Sequence, residues 1–423
     1  MKILTHFRKI AVIFLSIFIV LFALSGAYNT QNIDRLAYVI ALGLDVGENE
    51  PLKLSIQLSR PGSTKSSSDQ SSDNNIVNSV ECSSIESGLN LFDSYISRKI
   101  NLSHCKVVVI SEELASKGVS DYAYTLLNSV EMSPHANVII SKSPSEKFLN
   151  SSQPILESLA SNYYEIALSS SEYTGLTQNV TLIKFFSDYV DTFRNPVAIL
   201  GAVNSKDTNS LSNSTTNAST DMASDINKDS SYVAGQTPIS SKDNIENMGL
   251  AVFNGDKLVG ELNGLESIFH LIVSNQLKSC NISIPNPLGD SDSIDVNLSL
   301  KSSTKNNVQF VNGSPYITSN IQLDIKILSA TEQSSKSDSD YFSDENMKQI
   351  EDACNKYLSE NITNYLYKTS KEYHSDIDGF GKHAVKYFLT MQEWNDYNWL
   401  DNYKNSTFNV TVDSTLKSGY TFL

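Results

Sequence analysis

The stretch from Met1 to Ala27 constrains everything that follows. Lys2, Arg8 and Lys9 precede an uncharged apolar run from Ile10 to Leu24, closed by the small residues Ser25, Gly26 and Ala27. A basic start, an apolar centre and a small-residue end make an export signal, with a cleavage position after Ala27. At ~1.5 Å per residue, Ile10–Leu24 makes a helix of about 22 Å, short of a hydrocarbon core of about 30 Å. Running on to Tyr28 gives roughly 28 Å, enough to span with little to spare. A cleaved signal and a retained anchor therefore both stay open. Either way the basic residues stay inside, and the chain from Tyr28 onward is expected on the extracytoplasmic side.

Composition narrows the class. No second run in the 423 residues approaches membrane length, which excludes a polytopic channel or transporter. The net charge of −15 argues against nucleic acid, whose phosphates require Lys and Arg. It also argues against a purely electrostatic hold of the whole chain on anionic lipid. Cys82, Cys105, Cys280 and Cys354 are even in number but far apart and without a C-x-x-C pair. Free, buried cysteines are expected.

Leu36–Leu44 and Leu52–Leu58 are β-rich runs joined by the turn Asp45–Pro51, a hairpin. Ser63–Asn75 is too polar to offset its ordering entropy and is expected as a loop. From Ser84, an N-cap, Ile85, Leu89, Phe92 and Ile96 fall on one helical face. Lys106–Ile110 and Asn137–Ile140 are short buried strands. Each is followed by a helix start, Ser111-Glu112-Glu113 and Ser143-Pro144-Ser145-Glu146, the second a capping box with proline at its first position. Strand and helix in alternation predict parallel pairs covered by helices. A helix over Thr181–Phe193, stopped by Asn195-Pro196, buries Leu182, Phe185, Phe186, Tyr189 and Phe193.

Residues 204–247 turn to Ser, Asn, Thr and Asp, a disordered linker and the clearest domain boundary. Beyond it, Gly249–Phe253 and Lys257–Val259 flank Asn254-Gly255-Asp256, a hairpin with Asn-Gly in the turn. A helix opens at Asn263–Glu266. Strands follow at Cys280–Ile284, Asp295–Leu300, Val308–Val311 and Ile317–Ile327, the last with one apolar and one polar face, as in an antiparallel sheet. Ser343 caps the longest helix, whose stripe is Met347, Ile350, Cys354, Tyr357, Leu358, Ile362, Tyr365 and Leu366. His374–Lys382, a short helix carrying Trp394 and Trp399, and a strand over Phe408–Leu416 complete the chain. The fold class is mixed α+β and α/β, multi-domain. The expected parts are 1–27 as signal or anchor, 28–203 as an α/β domain, 204–247 as linker, 248–330 as a middle antiparallel-sheet domain and 331–423 as a helix-and-strand domain.

These segments together resemble the C subunits of Ger-type nutrient germinant receptors, the Ger(x)C family of spore-forming bacteria. Four stretches carry the resemblance in the family's order: Ile33–Asp45, Ser97–Ile110 with His104, Gly249–Gly260, and Ser375–Gly381 leading to Trp394. The resemblance covers nearly all of the exported chain apart from the polar insertions. It implies a non-enzymatic subunit on the outer face of the spore inner membrane, beside an A subunit and a transporter-like B subunit. It also implies structural roles for Asp45, His104, Gly249, Gly260, Asp376, Gly379, Phe380, Gly381 and Trp394. The family's signal ends in a lipidated cysteine. Here Ala27 stands in that place, so no thiol is present to take a lipid.

Sharper chemistry is not supported by the residues. Asp376-Ile377-Asp378-Gly379 starts like a calcium loop, but Phe380, Gly381 and Lys382 fill the later ligand positions. Gly379–Lys382 lacks phosphate-loop spacing, and no G-x-S-x-G elbow is present. His104-Cys105 has no companion ligands at metal spacing. No cofactor, metal or catalytic residue is therefore expected, and direct nutrient binding is not the first reading. The competing class is an extracytoplasmic solute-binding protein that captures a small nutrient.

Overall fold

The computed structural model describes residues 2–27, 35–59, 75–152, 160–204, 226–227, 230–239, 244–289, 293–330 and 343–417. Helix α1 (Lys2–Ala27) runs unbroken, with the side chains from Ile10 to Val20 exposed. Among the described residues, no helix is long and apolar enough to cross a membrane.

The first sheet is built from β1 (Leu36–Val46), β2 (Leu52–Ser59), β3 (Asn75–Cys82), β4 (Lys99–Asn101), β5 (Val107–Ser111), β6 (Asn137–Ser141), β7 (Val197–Val203), β8 (Ile245–Asn254) and β9 (Lys257–Leu262). Its order is β3-β2-β1-β5-β6-β7-β8-β9, with β4 pairing β1. β1, β5, β6 and β7 are parallel, flanked by antiparallel neighbours on both sides. The predicted first hairpin is present, with Leu44 opposite Leu54. β3 was not anticipated. Its residues, Asn75 to Cys82, do not alternate strictly between polar and apolar, so periodicity does not mark it, and it follows a stretch outside the described residues that includes most of the predicted Ser63–Asn75 loop.

Helices cover both faces, because successive strand side chains point to opposite sides. The helices α2 (Ile85–Tyr95), α3 (Glu112–Lys117), α4 (Ser120–Asn128) and α5 (Ser145–Ser151) follow in chain order, and on one face Val107, Val109, Ile139 and Ile199 pack with Phe148 and Leu149 of α5. Val108, Ile110, Val138 and Leu200 join the larger core on the other face, beneath α2, α3 and α4. Further along are α6 (Ala160–Ser169), α7 (Ser171–Thr174) and α8 (Leu182–Val190). Ser84 and Ser87 form a capping box on α2, and Thr181 caps α8 through the Lys184 amide. α8 ends at Val190, so Phe193 lies beyond the helix.

Residues 204–247 do not divide the sheets. β7 and β8, on either side, pair antiparallel in one sheet, Val197 opposite Val252 and Val203 opposite Ile245. Composition cannot reveal this, since a polar insertion between paired strands looks the same as a linker between domains. Part of the expected linker is also ordered by packing. Asn227 donates to Ser283 O and Tyr357 Oη, Ala234 N donates to Met248 O, and Ala234 is buried. Residues 205–225 lie outside the described set. The β8–β9 turn is Gly255-Asp256, with Asn254 paired to Lys257, one residue later than Asn-Gly predicts. Only Gly255 takes a positive φ, 62°. A single glycine at the first loop position suffices for this turn.

The second sheet holds β10 (Cys280–Pro285), β11 (Ser293–Leu300), β12 (Lys305–Val311), β13 (Ser314–Ala330) and β14 (Thr407–Leu416). It is not wholly antiparallel: β13 and β14 run parallel, from Tyr316 beside Thr407 to Ile325 beside Leu416. The connection between them is long enough for a parallel crossover, because it contains the long helix Asp344–Tyr367. Thus 248–262 extends the first sheet, and the C-terminal strand completes the sheet of 280–330. Ile317, Ile321, Leu323 and Ile325 of β13 are buried on one face. α9 (Gly264–Val273), capped reciprocally by Asn263 and Glu266, and α10 (Asp344–Tyr367) cover them. The buried α10 residues match the predicted stripe from Ile350 to Leu366. All four cysteines are free and buried, and burial pushes the thiols of Cys105, Cys280 and Cys354 up to about 12.

Candidate functional site

The place where sequence motifs converge is the junction of the two sheets. α10 leaves its regular path in a π-helical turn, Lys368–Glu372, and the chain then bends at His374, whose φ is +51°. A π turn shifts the register of side chains leaving a helix, which is why such turns mark special positions. Here it sends Lys368 and Tyr373 to the corner where β9 of the first sheet passes into α9. Lys368 Nζ pairs with Glu266 at 2.7 Å, and Tyr373 Oη donates to Glu261 O at 2.9 Å. A Cβ at Gly260 would overlap the Tyr373 ring, so glycine is required for this close approach.

Asp376 is the centre of the next turn. Its carboxylate is fully buried and accepts four N–H bonds: from Gly379 N at 2.8 Å, Phe380 N at 3.1 Å, Gly381 N at 2.9 Å and Trp399 Nε1 at 2.8 Å. Burial pushes its pKa up to about 6, outweighing the donors, which favour the ionised form. Gly379 has φ +78°, a conformation that side chains resist. Gly381 is needed for a different reason. A Cβ there would run into Phe193 O and lie 2.8 Å from Trp399 Nε1. α11 (Gly381–Ala384), α12 (Met391–Tyr397) and α13 (Trp399–Asn402) follow.

This turn is fastened to the first sheet. Asn195 N donates to Asp376 O at 2.7 Å, Ser375 Oγ to Phe253 O at 2.6 Å, and Arg194 Nη2 to Ile377 O at 2.8 Å. Trp394 is buried, donates to Thr192 Oγ1 at 3.0 Å and packs on Phe193 and Trp399. Trp394 and Trp399 are both buried and fill the joint. Phe380 stacks on Tyr403. Gly249, with φ +87°, has no room for a Cβ beside Leu262 O.

A buried polar cluster lies beside the turn. His270 Nδ1 is 2.9 Å from Asp378 Oδ1, Tyr365 Oη donates to Asp378 at 3.0 Å, and His270 Nε2 is 3.1 Å from Gln178 Oε1. Gln178 in turn hydrogen-bonds Gln276. Burial raises the Tyr365 phenol well above its ordinary range, so it serves as a donor. Asp376 and Asp378, two residues apart, therefore face different partners: the first a ring of N–H donors, the second histidine and tyrosine. From sequence, Tyr365 reads only as part of the apolar stripe of α10 and His270, Gln178 and Arg194 carry no signal, since separations such as 108 residues between His270 and Asp378 leave none locally.

Two of the sequence-predicted residues stand elsewhere. Asp45, at the end of β1, accepts from Ser145 N at 2.7 Å, Ser145 Oγ at 2.6 Å and Glu146 N at 3.2 Å. The predicted local capping box at Ser143 is not formed. Pro144 takes the N-cap place without a side-chain bond, and Asp45 supplies the acceptor from 100 residues away. His104 is exposed and meets the Tyr38 ring edge-on at 4.5 Å.

Comparison with known proteins identifies two family models along the chain. A family model described as the spore germination protein N-terminal domain matches residues 29–202. A second, described as spore germination B3/GerAC like, C-terminal, matches residues 248–419. YfkR of Bacillus subtilis (strain 168), named as a spore germination protein, is 21% identical over 410 residues, covering 94% of this chain and 93% of its own. The crystal structure of the GerBC protein is 14% identical and overlays with a TM-score of 0.47, covering 89% of this chain and 96% of that one.

Proposed function

The chain belongs to the Ger(x)C family of spore germination proteins, and from that premise we propose that it is the non-enzymatic subunit of a nutrient germinant receptor. It works on the outer face of the spore inner membrane, bound to an A subunit and a transporter-like B subunit. The observation that carries this reading is the use to which the junction residues are put. The Asp376 carboxylate, Gly379, Gly381 and Trp394 are satisfied by groups of this chain, which fixes one sheet against the other. A chain built this way presents a rigid composite surface to partners. α1, with its exposed apolar side chains from Ile10 to Val20, serves as a retained, membrane-embedded segment that need not cross the whole bilayer, since Ala27 offers no thiol for a lipid.

Pull-down of the intact complex from spore membranes tests the assignment. Co-purification with A and B subunits, and loss of nutrient-triggered germination when this chain is deleted, are the expected results. A chain recovered alone from spores that germinate normally without it refutes the proposal. A second reading, solute capture, draws on a cavity of about 540 Å³ whose lining includes Val46, Ser84, Lys117, Asp121, Tyr122 and Asp256. Titration with amino acids and sugars separates the two, since saturable binding abolished by Asp256→Ala favours capture.

A further inference from the structure

An apolar patch stands at the outer end of the second sheet. Leu389 is 92% exposed, Met391 56%, Val311 54% and Tyr387 50%. Tyr387, Leu389 and Met391 are placed together because the Phe310 ring on β12 meets the rings of Tyr387, Phe388 and Tyr397 at 5.7, 5.5 and 5.3 Å, while Val311 follows Phe310 at the end of the strand. Phe388 packs in turn on buried Trp394 at 5.4 Å. The exposed tip is thus mounted on an aromatic base continuous with the junction. Leu389 immediately precedes Thr390, the N-cap of α12, where an apolar residue ordinarily folds back onto the helix. Here it points outward, while its own N–H is satisfied by Glu393 Oε2 at 2.9 Å.

Charge around the tip departs from that of the chain. In a protein of net charge −15, residues 379–392 contain no Asp or Glu and carry Lys382, His383 and Lys386. Residues 296–323, which supply the facing hairpin, are also free of acids and carry Lys301 and Lys305. Lys386 reaches across, its Nζ 3.4 Å from Asn307 Oδ1 and 5.4 Å from the centre of the Tyr387 ring. The nearest acids on the following helix are engaged: Glu393 caps the chain, and Asp396 accepts from Gln392.

We propose that the tip formed by Tyr387, Leu389 and Met391 inserts into the interfacial layer of an anionic bilayer, with Lys382 and Lys386 at the phosphates. An apolar apex, an amphipathic tyrosine below it and lysines at its base are the chemistry that a lipid surface selects. A handful of local lysines acts within a Debye length, so the acidic remainder of the chain does not cancel them. The inference rests on the reading above that the chain sits at a membrane. It adds a second contact besides α1, which would hold the body at a fixed tilt.

The test uses the full chain in vesicles of phosphatidylcholine alone or with one quarter phosphatidylglycerol. An environment-sensitive fluorophore is placed at Leu389→Cys and, as control, at Leu328→Cys, which is exposed at the far end of β13. The four native cysteines are buried. Expected are a blue shift and quenching by brominated lipid at position 389 but not 328, with at least a threefold loss of quenching in Lys382→Glu/Lys386→Glu. A wet position 389 in both compositions overturns the proposal, as does shielding that appears only with partner subunits present. Retention after alkaline wash reports α1 separately, so a retained chain with a wet tip leaves the anchor standing. With a chain released by that wash, flotation that depends on phosphatidylglycerol and is lost in Leu389→Asp/Met391→Asp supports the tip, and flotation unchanged by those substitutions overturns it.

Discussion

Two buried aspartates perform similar chemistry in different parts of this molecule. Asp45 receives three donors from the start of α5, and Asp376 receives four from its own turn and Trp399. Asp45 closes a helix onto the strand beside it, within one sheet. Asp376 organises the loop by which the second sheet is fastened to the first. The contrast teaches that a cap stabilises whatever its backbone belongs to. At a helix start that is one element, and at the junction it is the attachment of half the chain.

The largest expected effect comes from Gly381→Val. Its side chain would meet the Phe193 carbonyl, which cannot move without disturbing Asn195 and the Asp376 turn. Overpacking against backbone costs about 3 kcal/mol or more. Denaturant unfolding should split into two transitions as the second sheet loses its attachment, and a single unshifted transition would contradict the junction role. Gly379→Val, strained by positive φ rather than by collision, should cost about 1–2 kcal/mol.

Asp376→Ala leaves buried donors without an acceptor and should cost about 3 kcal/mol, against roughly 1–2 kcal/mol for Asp45→Ala. Equal urea midpoints for the two variants would mean that the junction turn is no more critical than the start of α5.

The two carboxylates can also be separated by pH. Asp376 has a folded pKa of about 6 against an ordinary value of 3.8. Between these values the folded state holds a proton that the unfolded state has lost, so this group's contribution to stability falls as pH rises through that window. Asp376→Asn removes the dependence. The difference in unfolding free energy between wild type and this variant, followed from pH 4 to 7, should therefore shift against the wild type. A flat difference would mean that the four N–H donors outweigh burial.

The smallest effect is expected from the polar insertion. Removing residues 205–225, a stretch dominated by Ser, Asn, Thr and Asp, should leave the melting midpoint within about a degree, since such a segment has little to bury. Extending the deletion through Ala234 should lower it, because Asn227 bridges to Ser283 and Tyr357 and Ala234 is buried. Equal midpoints for the two deletions would make the whole segment a spacer.

Much of the local structure was legible. The Ser84, Thr181, Asn263 and Ser343 helix starts, the β1–β2 hairpin and the α10 stripe follow from periodicity and capping, which act over a few residues. The order of family-like segments was legible too, because it is a property of the chain itself. The partner of each segment was not. Pairing of β7 with β8 across the polar insertion, β14 parallel to β13, Asp45 as the cap of α5, and His270 beside Asp378 all join residues far apart in sequence. Gly381 makes the division plain. Sequence marks it as a glycine in a turn, but only tertiary structure decides that a carbonyl from Phe193 occupies the space where a side chain would stand. Short-range preferences are encoded residue by residue, whereas close approach between distant backbones exists only once the sheets have met.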